Sequence, residues 1–309
     1  MKAPDFWRRG GLLAALLALI GALYGGITTR LAARPGWRAP VPVICCGNAS
    51  VGGAGKTTLA LDLGARLAAR GLAVAFLTRG YGGRESGPVR GDDAARFGDE
   101  ALLLAALAPT YAGADRAASA RQAVAEGAQV LVMDDGLQNP GLAKTLSLLV
   151  IDGEAGFGNG RMIPAGPLRE NVAAAAGRCG AAVLIGTDRT GALAQLPRGL
   201  KVLRAGLRAG PEAAAVAGPV LAFAGIGRPE KFAETLRAAG VVVAGLRGFP
   251  DHHRYSADEL RALGDEANAL GARLVTTPKD AVRLPAALRG EIAVVGVALR
   301  WADPPALER

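Results

Sequence analysis

Three cysteines, two of them adjacent at Cys45 and Cys46, are an odd number with no spacing suited to a disulfide framework. Such a chain fits a reducing compartment, where ATP is also available. There are two histidines, His252 and His253, and no Cys/His spacing suggests zinc. Aromatic residues make up only 5% of 309 residues, and no nucleic-acid-binding module is visible. The net charge of +9 therefore points away from nucleic acid and towards an anionic membrane or a phosphorylated substrate. Residues 10–27 carry no charge at all. What is abundant is apolar: half of the chain is hydrophobic, enough for a large core, and the length suggests about two domains.

The most informative stretch is VPVICCGNASVGGAGKTTL, from Val41 to Leu59. Val41–Cys46 reads as a buried strand. A glycine loop follows, and then a helical pattern of Leu59, Leu63 and Leu67. Strand, glycine loop, Lys-Thr and helix together form the context of a phosphate-binding loop. The loop residues Ser50, Val51, Gly52, Gly53, Ala54, Gly55, Lys56, Thr57 and Thr58 are the expected nucleotide contacts. Backbone N–H groups would turn towards phosphate oxygens, Lys56 would reach the β/γ-phosphates, and the Thr57 hydroxyl would ligate Mg²⁺. The strict pattern asks for glycine at position 50, where Ser50 stands. Val51 occupies the place of the second lysine found in MinD/ParA-type ATPases, the rival class for this loop.

The uncharged run 10–27 would extend about 27 Å as a helix at about 1.5 Å per residue, the short limit for crossing a bilayer. Lys2, Arg8 and Arg9 precede it, and Arg30, Arg34 and Arg38 follow it. It reads as a membrane anchor, spanning or lying in the interface. A buried core helix is the second reading. A cleaved export signal is the third, and it would carry a nucleotide loop away from ATP.

Further on, Leu72–Leu77 reads as a strand delivering Thr78-Arg79-Gly80-Tyr81-Gly82-Gly83, and residues 84–98 as loop. Asp99 and Glu100 begin an apolar helix, Ala101–Ala108, and Arg116–Glu126 forms another. Gln129–Met133 is a strand ending in Asp134-Asp135-Gly136-Leu137-Gln138, the pattern of a Mg²⁺-holding carboxylate beside a phosphate loop. Leu146–Ile151 is followed by a long Gly/Pro-rich loop with Arg161, Arg169 and Glu170, and Ala181–Ile185 and Lys201–Leu207 read as strands. From Gly218-Pro219 the alternation restarts: strand Val220–Ala224, helix Pro229–Ala239, strand Val241–Leu246, helix Ser256–Leu270 with a capping box, and strands Arg273–Thr277 and Ile292–Val297. The expected fold is α/β: a phosphate-loop NTPase-type domain with a mostly parallel sheet (36–217), a smaller α/β domain (218–309) and an N-terminal membrane-associated helix (1–35).

The stretches GNASVGGAGKTT, TRGYGG, FGDE, VMDDGLQ, IDGEAGFGNGRMIPAGPLRE, FPDHH and TTPKDAVRL run in this order from residue 47 to 284. In this combination the chain resembles the tetraacyldisaccharide 4'-kinases, the lipid A 4'-kinases of Gram-negative bacteria. The resemblance implies transfer of the ATP γ-phosphate to the 4'-hydroxyl of a tetraacylated glucosamine disaccharide 1-phosphate, giving lipid IVA. It implies ATP and Mg²⁺ as cofactors, a lipid substrate, and the cytoplasmic face of the inner membrane. No nucleic acid or obligate protein partner is called for. It further implies that Asp99 and His252 act as a catalytic dyad with Lys56 at the phosphates. Asn48, Arg79, Tyr81, Arg116 and Gln138 are the expected substrate contacts, and the Mg²⁺ ligands stay open among Thr57, Asp134, Asp135 and Glu170. From the residues alone, Asp99 could equally cap a helix and His252 could lie in a solvated turn. The chain departs from the family at Leu137 and Asn139, where DDGFQH is usual.

Overall fold

The computed structural model describes residues 4–308. Lys2, expected on the basic flank of the apolar run, and Arg309, the expected end of the second domain, lie outside them. Eight strands come first: β1 Val43–Gly47, β2 Val74–Thr78, β3 Gly87–Pro88, β4 Thr110–Ala112, β5 Val130–Asp134, β6 Leu146–Asp152, β7 Ala181–Ile185 and β8 Lys201–Ala209. Five follow: β9 Val220–Ala224, β10 Val243–Gly248, β11 Arg273–Thr276, β12 Ala293–Val294 and β13 Val297–Trp301. They form a nine-stranded sheet in the order β13-β8-β7-β6-β1-β5-β2-β4-β3 and a four-stranded sheet in the order β10-β9-β11-β12. All neighbours are parallel except the two outermost pairs of the large sheet, β3 with β4 and β8 with β13.

The central strands β1, β2, β5 and β7 are near-continuous apolar runs because helices cover both faces of the sheet. Helix Lys56–Ala69 turns Leu59, Ala60 and Leu63 onto one face, at the spacing that gives a helix a single apolar side. The small sheet is likewise buried on both faces. Helix Pro229–Ala238 lays Phe232 and Leu236 on one, and helix Ala257–Ala269 lays Leu260 and Leu263 on the other. Parallel strands bring all their carboxyl ends to one edge, where ligands bind in open α/β sheets. In this sheet β1 and β5 are neighbours with Cys46 opposite Asp134, so the phosphate loop leaves the sheet beside the aspartate pair.

Three expectations are corrected. The stretch 84–98 is not all loop: it holds β3 and a turn of helix, Ala94–Phe97, capped by Asp93. Ile292–Val297 is not one strand. It divides into β12, which completes the small sheet, and β13, which returns to the large one. The second α/β unit therefore ends before β13, short of the 218–309 span. The return strand pairs antiparallel with β8 from Val297↔Ala209 to Trp301↔Ala205, covering an edge that β8 would otherwise expose. Leu299 and Trp301 are buried in the large sheet's core, which explains why the last strand goes back.

The N-terminal segment is the third. It is not one helix but three, Phe6–Arg9, Leu12–Leu16 and Ala18–Ala32, and no helix among the described residues is long and apolar enough to cross a membrane. Its small residues Ala14, Gly21, Gly25 and Ala32 form the buried face. At Gly21 a Cβ would stand 2.7 Å from the Met162 carbonyl oxygen, so only glycine allows this approach. Arg161 donates to the Ala14 carbonyl at 3.0 Å, Trp7 Nε1 to that of Pro164 at 3.0 Å, and Asn159 to that of Phe6 at 2.9 Å. The long loop after β6 thus serves as the cradle for the N-terminal segment. The opposite face carries Leu12, Leu16, Leu19, Leu23 and Ile27, all exposed.

Candidate active site

The phosphate loop is pinned at both ends. At its start, Ser50 forms a bridge with Leu168, Val51 N–H donates to the Pro167 carbonyl at 2.8 Å, and Arg169 N–H to that of Ala49 at 2.7 Å. Position 50 is thus short extended pairing, where a side chain is tolerated and the strict glycine is unnecessary. Gly55, the N-cap of the following helix, has φ +89°, and a Cβ there would lie 2.6 Å from Ile185 Cδ1. Lys56 folds back over the loop. Its Nζ donates to Asn48 Oδ1 at 3.1 Å and to the Gly52 carbonyl at 3.3 Å, and it pairs with Asp135 at 3.7 Å. Asn48 Nδ2 is buried without a partner among the described residues, a donor left for a ligand oxygen. Thr58 lines a separate groove with Leu61, Leu103 and Leu299.

Thr57 donates its hydroxyl to Asp134 Oδ2 at 2.8 Å, while Asp134 Oδ1 is buried with no partner among the described residues. Burial pushes the Asp134 pKa up to about 7, the Glu100 carboxylate adds to the rise, and the Thr57 hydroxyl and Lys56 oppose it. A hydroxyl on one carboxylate oxygen and a free second oxygen suit a hard divalent cation that keeps most of its ligands as phosphate and water. Thr57 and Asp134 therefore fit Mg²⁺. Asp135 is differently employed. It sits in the left-handed region, φ +53°, a conformation aspartate tolerates better than most residues, and faces Lys56 and Arg169, the latter at 2.9 Å. Burial would raise its pKa, but Lys56, Arg169 and Arg116 outweigh that and hold it below the ordinary carboxylate value.

Glu170 leaves the metal set. It is fully buried, with one oxygen taking Gln138 Nε2 at 2.7 Å and the other taking Arg178 at 2.6 Å. Gln138 also donates to the Asn48 carbonyl at 2.8 Å. The acid and the amide brace the backbone beneath the phosphate loop, and neither carboxylate oxygen is spare. Arg169 and Arg178 stand out in sequence only as charges near the long loop; their roles come from the fold.

Across the cleft, the loop after β10 brings His252 to the start of helix Asp99–Ala105. His252 Nδ1 and Asp99 Oδ2 are 2.9 Å apart, while Asp99 Oδ1 accepts the Glu100 backbone N–H at 2.9 Å. Asp99 thus opens its helix, whose N-cap is Gly98 with no side-chain cap, and meets the histidine with its second oxygen. Lys279 reaches in from the same domain, 3.3 Å from Glu100, 3.9 Å from Asp251 and 4.0 Å from Asp99. Burial of Asp99 raises its pKa, but the His252 hydrogen bond and the charges of Lys279, His252 and Arg283 prevail and lower it. The Tyr81 ring lies 5.8 Å from the His252 ring, with the tyrosine itself exposed at the cleft. His253 turns inward instead, stacked on Phe249 at 4.8 Å and hydrogen-bonded to Glu259 at 3.0 Å, so its work is structural. Arg228 pairs with Asp152 and with Glu154, closing the other side of the cleft.

Of the expected substrate contacts, Arg116 is buried with Nη1 on the Gly113 carbonyl and Nε unpartnered among the described residues; burial lowers its pKa to about 10. Arg79 is exposed beside it, at the end of β2. Asn48 and Gln138 lie under the phosphate loop, and Tyr81 lies beside the His252 ring.

A family model described as LpxK, tetraacyldisaccharide-1-P 4'-kinase, matches residues 13–309. The chain belongs to this family. A tetraacyldisaccharide 4'-kinase of Gluconacetobacter diazotrophicus is 59% identical over 100% of this chain and 97% of its own length. One from Rhodospirillum centenum is 54% identical over 100% and 95%. The crystal structure of the "apo" form of LpxK from Aquifex aeolicus in complex with ATP superposes with a TM-score of 0.74 at 25% identity, covering 96% of this chain and 98% of that one. The large parallel sheet with its mixed α/β surroundings is the kinase family's fold.

The bracing role given to Glu170 separates from metal binding by experiment. Glu170→Ala should destabilise the protein by about 1.5–3 kcal/mol in denaturant unfolding, the loss expected for hydrogen bonds to a charged group. The Mg²⁺ concentration giving half-maximal turnover should stay at its wild-type value. A several-fold rise in that concentration with unchanged stability would return Glu170 to the metal set.

Proposed function

We propose that the chain transfers the γ-phosphate of ATP to the 4'-hydroxyl of a tetraacylated glucosamine disaccharide 1-phosphate, forming lipid IVA, at the cytoplasmic face of the inner membrane. The observation that carries this reading is the Asp99–His252 contact made between two domains beside a phosphate loop, in a chain of this family. In the reaction the 4'-oxygen bonds to the γ-phosphorus, the bond to the β–γ bridging oxygen breaks, and the hydroxyl proton passes to Asp99. The phosphate loop and Lys56 bind the triphosphate, with Asn48 Nδ2 as a further donor. When bound, Mg²⁺ at Thr57 and Asp134 neutralises charge on the phosphates. Arg116 and Arg79 add positive charge for phosphate groups arriving from the nucleotide or the lipid.

Asp99 is ionised at neutral pH and so ready to take a proton. Its low basicity suits a loose transition state, in which phosphoryl transfer depends chiefly on positioning and charge. His252 orients the carboxylate. Because the histidine belongs to the second domain, the base is complete only when that domain is docked, which discourages transfer to water in an open form. A MinD/ParA-type switch is the weaker reading: Val51 replaces the second lysine, and the second domain has no place in it. Incubation with γ-labelled ATP should transfer label to the lipid only when the tetraacylated disaccharide is present. Lys56→Ala should lower that transfer by at least about 100-fold, as expected when charge stabilisation of a transition state is lost. ATP hydrolysis unaffected by the lipid, or a folded Lys56→Ala protein of normal activity, would refute the kinase.

The membrane assignment rests on the N-terminal face. Leu12, Leu16, Leu19, Leu23 and Ile27 recur at helical spacing and are 50–82% exposed, with Arg8, Arg9, Arg30 and Arg34 around them. Such an apolar stripe rimmed by cations lies in the interfacial plane of an anionic membrane. It would hold the cleft at the surface where acyl chains are anchored. Leu19→Gln with Leu23→Gln should shift the protein from sedimenting with anionic vesicles to the supernatant, while ATP affinity stays unchanged. Full sedimentation of this double variant would place membrane binding on another surface.

A further inference from the structure

The segment Thr276–Leu284 matches a family motif, yet beyond Lys279 the roles above leave it unused. The side chain of its Arg283 is buried, only 5% exposed, at the seam between the two domains. The guanidinium Nη1 donates to the carbonyl of Gly225 at 3.3 Å and to that of His253 at 3.0 Å. Nη2 donates again to Gly225 at 3.2 Å and pairs with Asp280 at 3.3 Å. Nε donates to the Lys279 carbonyl at 2.9 Å and lies 3.4 Å from Asp99 Oδ2.

Two of these carbonyls frame His252. The Gly225 carbonyl also accepts the His252 backbone N–H at 3.1 Å, and the His253 carbonyl is the next along the chain. His252 has φ +61°, a left-handed conformation that a residue with a Cβ keeps only where its surroundings impose it. The anchor behind the guanidinium is Asp280, with no exposed surface. Its carboxylate accepts from the Gly225 N–H at 2.8 Å, the Tyr255 hydroxyl at 2.7 Å and the Thr277 hydroxyl at 2.5 Å, while its own backbone N–H donates to Thr277 Oγ1 at 3.1 Å.

We infer that Arg283 is a positioning residue for phosphoryl transfer: one buried guanidinium clamps the backbone around His252 and sets a fixed cation against Asp99, aligning both members of the pair. The inference rests on the kinase reading above. Its two actions are separable, because the clamp needs a planar fork of donors whereas the effect on Asp99 needs only a positive charge. The charged groups facing Asp99 are His252, Lys279 and Arg283 from the second domain and Glu100 from its own helix, with Asp251 reaching it through Lys279 and His252. Removing a cation makes the carboxylate harder to ionise. The deprotonated base is then lost at a higher pH, and the acidic limb of kcat moves upward.

The test measures kcat, the KM for ATP and the pH profile of kcat for full-length wild type, Arg283→Met and Arg283→Lys, with tetraacylated disaccharide 1-phosphate in detergent micelles. Arg283→Met should lower kcat by about 100-fold, the cost of a roughly 1 Å misplacement at a reacting centre. Its KM for ATP should hold and its acidic limb should move to higher pH. Arg283→Lys, which keeps the charge and the approximate volume, should also lose kcat, by about tenfold or more, but with the acidic limb at its wild-type position. Should the methionine variant fail to fold, the lysine variant decides alone. Wild-type kcat in Arg283→Lys overturns the clamp, and so does a KM for ATP that rises in step with the loss of kcat. An unmoved acidic limb in folded Arg283→Met overturns the action on Asp99. Both variants unaltered beside an active wild type refute only this inference, whereas a wild type that transfers no phosphate to the lipid refutes the kinase reading and this inference with it.

Discussion

The 2.9 Å contact between His252 Nδ1 and Asp99 Oδ2 joins residues that are 153 positions apart and carried by different sheets. For it to form, the small sheet must dock against the carboxyl edge of the large one, and much of the surrounding chemistry serves that docking. Arg228 reaches Asp152 and Glu154 on one side, while Lys279 reaches Glu100 and Arg289 reaches Asp92 on the other. Those on the rim, Arg228 with Glu154 and Arg289 with Asp92, each contribute little. Their value is orientation: they fix which loop of the second domain faces the helix that begins at Asp99. Pairing β13 with β8 keeps the chain's two crossings between domains side by side, so the small unit is tied to one place on the large one.

Within the large domain the governing constraint is a cation among acids and carbonyls that have little water to share. Lys56 is held by Asn48, Gly52 and Asp135, and Asp135 in turn by Arg169. The charges close locally, apart from three polar atoms that point nowhere among the described residues: Asn48 Nδ2, Arg116 Nε and Asp134 Oδ1. Leaving a buried polar atom unpaired costs about 1–3 kcal/mol each, and two donors with one acceptor are what a metal–triphosphate would satisfy. The site thus holds binding capacity in reserve as unsatisfied hydrogen bonds, beneath a loop already fixed by its pairing with residues 167–169.

Much of this was legible in the chain itself, for identifiable reasons. Apolar runs covered on both faces announce themselves without ambiguity, so β1, β5, β6, β7 and β9 fall where the sequence places them. The loop from Gly52 to Thr57 and the aspartates after β5 are set by local spacing and need no tertiary knowledge. By contrast β3 and β4 are two and three residues long, too short for a period to show. The split between β12 and β13 depends on which core buries Leu299 and Trp301, which only the assembled fold decides. Glu170 misled because a carboxylate near a phosphate loop resembles a metal ligand until Gln138 and Arg178 are seen to occupy both oxygens. The uncharged N-terminal run shows no break in sequence, and only the fold reveals three helices whose glycines and alanines dock on the loop after β6 and leave leucines outside. Sequence alone does not separate His252 from His253; the fold does, stacking His253 on Phe249 and bonding it to Glu259 while His252 meets Asp99.

The central claim is that Asp99 and His252 act as one unit assembled across the cleft. A double-mutant cycle in kcat tests it most directly, using Asp99→Ala, His252→Ala and the pair with saturating ATP and lipid acceptor. Each single variant should lose about 10²–10⁴-fold with the KM for ATP unchanged, the range for losing acid–base assistance, and the double variant should lose far less than the product of the two. Losses that multiply, or a folded Asp99→Ala protein that keeps its kcat and loses only thermal stability, would contradict the account.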